Sequence, residues 1–423
     1  MTISKYLLSI SFLLCIVKVQ AQERLTLDEC YRLARQNYPA IQKMGLINQT
    51  AQLTLENVGK GYLPQVSLSG QASYQSQTIS FPAALSNIPG AAIAAMSKDQ
   101  YKIQADINQQ ILDGGATHQQ NQVTKANTSL QQQNLEVSLY ALKDRVNNIF
   151  FSILLADAQI RQNELNKGNL QTQVQKTQAA FTNGTAFQSN VNELQAEVMN
   201  ADMGTTQYKA NLSAYLRMLS LLTGKEITSS AQLQIPQQVI NTGEINRPEL
   251  KAYDLQKSVY DAQQKQLKSD YMPKVSAFFQ GAYGKPTLNI IDNKAGAWYI
   301  TGLRLNWSLG SLYTLGNRKK ILALNRESVD ADKATFLFNT KMDMAQQDEQ
   351  TKMYRELARQ DEQTITLREN VTRSAAAQMA NGVITTHEYI QQLNAENLAR
   401  QSLILHQIQL LQAQYNQLYK SGN

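Results

Sequence analysis

The sequence predicts an α+β chain built from two copies of one unit, in which a pair of strands is followed by a long helix. Three observations lead to this prediction. Short motifs recur in the same order roughly 200 residues apart, two pairs of segments alternate between apolar and polar residues, and two stretches of about 65 residues contain no proline. A unit of this length is too long for a solenoid repeat, so a whole supersecondary unit is duplicated in tandem.

Four pairs of motifs carry the duplication and keep their order along the chain. The pairs are Asn37-Tyr38-Pro39 with Asn246-Arg247-Pro248, Tyr62-Leu63-Pro64 with Tyr271-Met272-Pro273, Phe181-Thr182-Asn183-Gly184 with Met379-Ala380-Asn381-Gly382, and Leu194-Gln195-Ala196-Glu197 with Leu393-Asn394-Ala395-Glu396. We therefore predict a first repeat at 22–223, a connecting or equatorial segment at 224–243 and a second repeat at 244–421.

Strands are predicted at about 63–79, 100–111, 272–283 and 297–308. A period of two residues gives each strand one polar and one apolar face. Lys102, Asp106 and Arg304 lie on the polar face, whereas Ile103 and Leu303 lie on the other. Aromatic residues stand near the strand ends, as at a membrane–water interface: Tyr62, Tyr74, Tyr101, Tyr271, Tyr283, Tyr299 and Trp307. This pattern fits a membrane barrel around a wet lumen, although the alternation alone favours a soluble sheet with one wet face.

Long helices are predicted at about 116–181 and 316–379, and each would reach roughly 100 Å. A shorter helix precedes each strand pair, at 27–60 with an early break at Pro39, and at 248–270. The long helices turn at Asn183-Gly184 and Asn381-Gly382, where Asn and Gly accept left-handed geometry, and return through helices of about 35 residues. Apolar residues in the first long helix are spaced alternately by four and three, as in a coiled coil: Leu135, Leu139, Leu142, Val146, Ile149 and Ile153.

The N-terminus predicts export. Lys5 precedes an apolar run that ends before Val19-Gln20-Ala21, which indicates a cleaved signal peptide at 1–21. Leu14 stands where a lipoprotein needs a small residue, so lipidation of Cys15 is not expected. The net charge is +7, from 40 Lys and Arg against 33 Asp and Glu. These charges are scattered, and a short run such as Arg318-Lys319-Lys320 predicts a solvated surface, so no nucleic-acid partner is expected.

The residues that carry enzyme chemistry are not grouped in this sequence. His118, His387 and His406 are the only histidines, and none lies at metal-ligand spacing from another or from Cys30. Neither a phosphate-binding loop nor a serine nucleophile elbow occurs. We therefore expect no catalytic, metal or cofactor site.

Four strands cannot close a membrane barrel alone, because the smallest barrels formed by one chain use eight. Open sheet edges are not tolerated in lipid, so the strands must pair with those of other copies. Three copies in cyclic symmetry supply twelve strands and four supply sixteen.

These features together resemble the TolC-like outer-membrane factor, or outer membrane efflux protein, family over essentially residues 22–421. The resemblance rests on Leu25-Thr26-Leu27-Asp28-Glu29-Cys30, the Asn-x-Pro and Tyr-x-Pro motifs, and the Asn-Gly turns. It implies a homotrimer with a twelve-stranded outer-membrane β-barrel, continued by a periplasmic α-helical coiled-coil barrel. It further implies a passive conduit in the outer membrane of a Gram-negative bacterium. The conduit exports small molecules or secreted substrates with a periplasmic adaptor and an inner-membrane pump, in a tripartite efflux or type I secretion system.

The resemblance also implies positions for a periplasmic gate. Some members carry two acidic residues three apart after the second turn, and these positions are Glu388 and Gln391 here. An aromatic–arginine latch of some members falls on Met379 and Ile384, so that latch is absent. His387 beside Glu388 is a candidate for making the entrance sensitive to pH, although a solvated helix face is the favoured explanation.

Two further sets of residues follow from the resemblance. Asn183, Gly184, Thr185, Asn381, Gly382 and Val383 match turns that dock an adaptor, although turn chemistry alone also explains them. Lys102, Asp106 and Arg304 are expected to line the barrel lumen. The alternative is a periplasmic coiled-coil scaffold or adaptor, which salt would wash off membranes, whereas a barrel requires detergent.

Overall fold

The computed structural model describes residues 24–79, 96–239, 243–289, 291 and 293–423. The predicted signal peptide, Cys15 and most of the connection between the first two strands lie outside these residues. Within them, helices and strands follow one another in two similar series. The first series contains α1 (Leu27–Asn37), α2 (Lys43–Gly59), β1 (Gln65–Tyr74), β2 (Asp99–Leu112), α3 (Ala116–Tyr140), α4 (Leu142–Thr182) and α5 (Gln188–Thr223). The second contains α6 (Pro248–Gln266), β3 (Lys274–Lys285), β4 (Gly296–Asn306), α7 (Ser311–Ala380) and α8 (Thr386–Ser421).

Prolines set several of these boundaries. Tyr38 precedes Pro39 and is extended, with ψ 126°, so α1 ends at Asn37 and a 3₁₀ turn at Pro39–Gln42 leads into α2. The residue before a proline is sterically excluded from the helical region, which explains the break.

The predicted helix at 116–181 is divided into α3 and α4 at Ala141. The second long helix is unbroken and begins at Ser311, earlier than the predicted 316.

The four strands form one antiparallel sheet in the order β1-β2-β3-β4. The two hairpins of the duplicated units are therefore joined side by side through β2 and β3. Asp106 stands opposite Ser67 on one side and Gln280 on the other. A bulge between Gln110 and Leu112 shifts the register near the end of β2. The edge strands are β1 and β4.

The chain divides into two compact units. The helical unit contains the residues up to Ile41, Glu136–Pro248 and Phe336–Asn423. The sheet unit contains Gln42–Leu135 and Glu249–Thr335. Among the described residues, no helix carries a stretch both long and apolar enough to cross a bilayer.

The opening motif of the chain builds the core of the helical unit. Leu25 pairs with Leu233 as a short parallel bridge, and its amide donates to the Gln232 carbonyl at 2.7 Å. Thr26 caps α1, because its side chain accepts from the Glu29 amide at 3.2 Å. The next inward residues, Leu27 and Cys30, are buried among residues of α4 and α5: Val146, Phe150, Phe151, Ile153, Leu216 and Leu219.

The Asn-x-Pro motifs contact the ends of the return helices, which explains why both repeats contain one. The Asn37 amide group donates to the Leu221 carbonyl at 2.9 Å, and a Cβ at Gly224 would lie 2.8 Å from the Asn37 Oδ1. In the second repeat the backbone N–H of Asn246 donates to the Ser421 carbonyl at 2.6 Å. A Cβ at Gly422 would lie 2.4 Å from the backbone carbonyl carbon of Asn246. Both glycines also have positive φ, so each position needs glycine for two reasons: the backbone conformation and the lack of space for a Cβ.

The six residues of the predicted coiled-coil seam, from Leu135 to Ile153, are all buried. The corresponding apolar row of α8 is only half-buried. Its residues Ile408, Leu411 and Tyr415 pack against the core of the helical unit.

Cys30 provides a first prediction, because burial raises the pKa of its thiol to about 12. In protein that begins after residue 21, so that Cys30 is its one cysteine, we expect Cys30 at pH 8 to react with maleimide more slowly than an ordinary thiol by roughly a thousandfold, since the thiolate is the nucleophile. Guanidinium should restore ordinary reactivity. Equal labelling rates before and after unfolding would contradict the buried position.

Candidate functional site

One face of the sheet is an exposed apolar surface. Strand register places Val66 and Leu68 of β1, Ile103 of β2, and Leu303 and Leu305 of β4 on this face. All five side chains are mostly exposed, and Leu68 reaches 76%. An apolar surface of this extent marks contact with another protein or with lipid.

Aromatic side chains stand at both ends of the apolar face. Tyr74, Tyr101 and Tyr283 are exposed near the ends remote from the helices, whereas Tyr62 and Trp307 are exposed near the helix-linked ends. The Trp307 indole donates to the Tyr271 carbonyl at 2.9 Å, which holds it at the end of β4. Exposed aromatic rings at both ends of an apolar face are typical of a membrane interface.

The opposite face carries the three residues that were predicted to line a lumen. Asp106 accepts hydrogen bonds from Gln104 at 2.7 and 2.8 Å and from Gln280 at 2.7 Å. Lys102 donates to the Gln104 side chain at 3.2 Å, which extends the same polar row. Arg304 lies on this face as well, with its guanidinium 4.8 Å from the centre of the Phe278 ring.

The polar face is less uniform than the sequence predicted. Register places Phe278, Trp298 and Ile300 on it, opposite Gly302, Ala282 and Gln280 respectively. Alternation in β3 and β4 is the sequence signal for these residues, since they lie an even number of positions from Gln280 and Arg304. The face therefore combines two charge signs with aromatic surface.

The two interhelical turns have the same backbone chemistry. Gly184 and Gly382 adopt φ of 74° and 70°. The Thr185 amide donates to the Ala180 carbonyl at 2.9 Å, and the Val383 amide donates to the Gln378 carbonyl at 2.9 Å. The prediction of left-handed Asn was wrong: Asn183 has φ −83°, and no described non-glycine residue has positive φ. One left-handed residue is sufficient to end each helix, and glycine takes it at the lowest cost.

The predicted gate residue Glu388 caps the start of α8. Its carboxylate accepts from the Thr385 amide at 2.8 Å and from the Thr385 hydroxyl at 3.0 Å. In return, the Glu388 amide donates to the Thr385 hydroxyl at 3.2 Å, which completes a capping box. The backbone hydrogen bond from Thr385 is the main reason why the pKa of Glu388 is lowered. Glu388 and Gln391 line one groove with Ile384.

His387 joins the return helices of the two repeats. Its Nδ1 lies 2.9 Å from Glu193 Oε1, and its Nε2 lies 3.0 Å from the Gln391 side-chain nitrogen. Because a carboxylate only accepts, Nδ1 is the ring nitrogen that donates to Glu193. Close by, the Asn190 side chain donates to Thr386 at 2.6 Å. Sequence reasoning missed Asn190 and Glu193, although they stand in the first repeat where Glu388 and Gln391 stand in the second.

The two return helices begin differently. Phe187 occupies the position in the first repeat that Thr385 occupies in the second, and its side chain makes no capping hydrogen bond. Phe187 is 78% exposed, and Val383 is also exposed in the second turn. Met379 and Ile384, where the latch was expected to be absent, pack half-buried against the apolar cluster that includes Tyr389 and Leu393.

This difference leads to a second prediction. Replacing Thr385 with Ala should cost about 1 kcal/mol at the start of α8, because the capping hydroxyl is lost. We expect faster hydrogen exchange at the Glu388 amide in Thr385→Ala, with protection retained in Thr385→Ser. Phe187→Ala is the control in the other repeat, and it should leave exchange at the start of α5 unchanged. Loss of protection in Thr385→Ser as well would contradict the capping role.

Residues that could hold a metal do not converge in the part of the chain that the structure describes. There, no three His, Cys, Asp or Glu side chains meet at one point. Two of the histidines have different carboxylate partners: His387 contacts Glu193, and His406 contacts Asp361 at 2.6 Å.

Comparison with known proteins gives one family and several related folds. Residues 30–225 match the model of the outer membrane efflux protein family. No curated protein matches the sequence significantly. Among solved structures, CusC has a TM-score of 0.67 and 12% identity over 93% of this chain and 91% of its own. VceC from Vibrio cholerae has a TM-score of 0.65 and 12% identity, covering 94% and 96%.

A third structure extends the comparison to a channel captured open. The Neisseria gonorrhoeae outer membrane channel MtrE, in its open state, has a TM-score of 0.64 and 10% identity over 95% of this chain and 90% of its own. At these identities the three structures show a shared fold. With the match over residues 30–225, the resemblance to the outer membrane efflux protein family is thereby confirmed.

Proposed function

We propose that this chain is one subunit of a passive outer-membrane channel, which conducts small molecules or secreted substrates from the periplasm to the exterior. One observation carries the proposal: a four-stranded sheet has an exposed apolar face, a charged opposite face and two open edges. In lipid, unpaired edge backbone is strongly unfavourable, so β1 and β4 must pair with other copies. Cyclic closure with apolar side chains outward produces a barrel whose lumen is polar.

Three copies are the proposed assembly. A homotrimer would supply twelve strands, and its long helices would form a periplasmic α-helical barrel, as the family resemblance implies. Lys102, Asp106 and Arg304 would then line the lumen. Because this lining carries both charge signs and the Phe278 ring, we propose a conduit without strong ion preference. The driving energy would come from an inner-membrane pump, coupled through a periplasmic adaptor in a tripartite efflux or type I secretion system.

The proposal includes export and recruitment. Residues 1–21 would direct the chain out of the cytoplasm and be removed, and the two repeats would fold as predicted on either side of the segment at 224–243. The turns at Asn183-Gly184-Thr185 and Asn381-Gly382-Val383 would contact the adaptor, and exposed Phe187 and Val383 provide apolar surface for that contact. Glu388, Gln391 and His387 would lie at the entrance.

The test is the mass and membrane behaviour of the extracted protein. We expect carbonate and high salt to leave it in the membrane, detergent to release it, and light scattering with the micelle subtracted to give a trimer. A salt-extractable monomer or dimer that stays soluble without detergent would overturn the channel and favour a periplasmic scaffold or adaptor.

A further inference from the structure

The helix-linked end of the sheet gathers four chain segments, which together we call the junction belt: residues 60–65, 112–116, 267–274 and 306–320. Strand β1 begins here, β2 ends, β3 begins and β4 ends. Contacts between the segments are direct. Arg318 pairs with Asp270 at 2.7 Å, the Trp307 indole donates to the Tyr271 carbonyl, and a Cβ at Gly114 would lie 2.5 Å from the Met272 Cβ.

The junction belt has an excess of positive charge. Its acidic residues are Asp113 and Asp270. Its cations are Lys60, Lys268, Lys274, Arg318, Lys319 and Lys320. Asp113 is engaged at the start of α3, where it accepts from the Gly115 amide at 2.8 Å and the Thr117 amide at 2.6 Å. Asp270 neutralises Arg318. Among the described residues no carboxylate pairs with the five lysines, which leaves their charge uncompensated.

Part of the remaining sheet unit shows the opposite arrangement. Farther along the same helices of the sheet unit, cations of α6 and α7 are matched with carboxylates across the helix pair. Lys257 pairs with Asp330 at 2.7 Å and Lys333 with Asp254 at 2.8 Å. The junction belt therefore differs from this part of α6 and α7, since it holds six cations against two carboxylates.

Aromatic side chains are interleaved with these lysines. Trp307 is exposed, and Tyr313 is 89% exposed in the first turn of α7. Lys320 follows Tyr313 by two helical turns and so shares its face. Lysine and aromatic side chains are both typical of the headgroup region of a membrane. There the aromatic ring lies among the glycerol backbones and the lysine ammonium reaches a lipid phosphate.

We propose that the junction belt binds the phosphate groups of anionic phospholipids in the leaflet next to the helices. This inference rests on the proposed membrane function and adds a lipid class to it. The apolar sheet face adjoins the belt, so a lipid whose acyl chains cover that face presents its headgroup at the lysines. An anionic headgroup then compensates charge that no carboxylate of the described chain compensates.

The test compares two triple variants with equal charge change. Lys268→Gln/Lys319→Gln/Lys320→Gln removes belt lysines, and Lys176→Gln/Lys225→Gln/Lys341→Gln removes exposed lysines of the helical unit. Full-length protein in detergent is mixed with equal amounts of phosphatidylglycerol and phosphatidylcholine, and the retained lipids are counted by native mass spectrometry. We expect wild type and control to retain more phosphatidylglycerol than phosphatidylcholine. In the belt variant, the ratio of retained phosphatidylglycerol to phosphatidylcholine should fall by about fivefold or more.

Several outcomes would overturn the lipid site. These are no preference in wild type, equal losses in the two variants, or displacement of the lipid by dissolved glycerol phosphate, which would indicate a site for soluble phosphate. Lysine-to-arginine replacement in the belt should keep the preference, and the oligomer mass should be unchanged in every variant. A protein that takes up no lipid and needs no detergent would instead refute the proposed channel, so the two failures are distinguishable.

Discussion

Arginine at Leu68 is expected to abolish stable assembly in the outer membrane. Leu68 is central in β1, on the apolar face and 76% exposed. A lipid-facing Arg at the centre of a bilayer costs about 2–4 kcal/mol, and a trimer would carry that cost three times. We expect Leu68→Arg to lose the detergent-dependent trimer on unheated gels and to leave the outer-membrane fraction.

The matched control is the neighbouring residue. Ser69 lies on the opposite face, where it stands across from Gln104. Ser69→Arg adds the same charge one position along the same strand, but into the predicted wet lumen, so trimer yield should match the wild type. If both variants assemble equally, the apolar face does not contact lipid. If only Ser69→Arg fails, the assignment of the two faces is reversed.

The second large effect is expected in the core of the helical unit. Leu219 of α5 is 0% exposed and packs with Phe150 and Cys30, whereas Leu221 of the same helix is 72% exposed. Leu219→Ala should destabilise the protein by about 2–5 kcal/mol, because a cavity remains among side chains that relax only partially. The measurement is the thermal transition of the detergent-extracted protein, followed by tyrosine and tryptophan fluorescence.

Leu221→Ala is the control, with the same deletion two residues away. It should shift the transition little, because the side chain is already in contact with solvent. Thermal shifts of equal size would contradict the burial difference. Since Leu219 adjoins Cys30, Leu219→Ala should also accelerate maleimide labelling of Cys30, which gives an independent measure of local loosening.

The gross architecture was predictable because the relevant signals are local and periodic. Alternation at period two placed Lys102 and Ile103 on opposite faces, and the structure has them so. The spacing of four and three from Leu135 to Ile153 predicted burial of all six residues, and this is confirmed. Pro39 marked the break between α1 and α2. In each case neighbouring residues alone decide the conformation, through steric exclusion or side-chain direction.

The candidate site was less predictable because its contacts join distant parts of the chain. The capping of α8 by Thr385 and Glu388 is local and follows the Thr-x-x-Glu spacing, but other contacts of the site are not local. The bond between His387 and Glu193 connects residues of different repeats. By contrast, Phe278 and Trp298 were predictable, because alternation within β3 and β4 puts them on the same face as Gln280 and Arg304.

The amino-acid sequence by itself determined the duplication, the two-faced strands, the long helices and the turns, because each depends on side-chain pattern and glycine or proline chemistry within a few residues. Tertiary structure decided that each Asn-x-Pro motif packs against a left-handed glycine at the end of a return helix. Asn246 lies against Gly422 at the far end of its own repeat, in a space too small for a Cβ. It also decided that five described lysines lie without a carboxylate partner where the strands meet the helices. Packing and uncompensated charge depend on distances through space, and a one-dimensional pattern does not contain those distances.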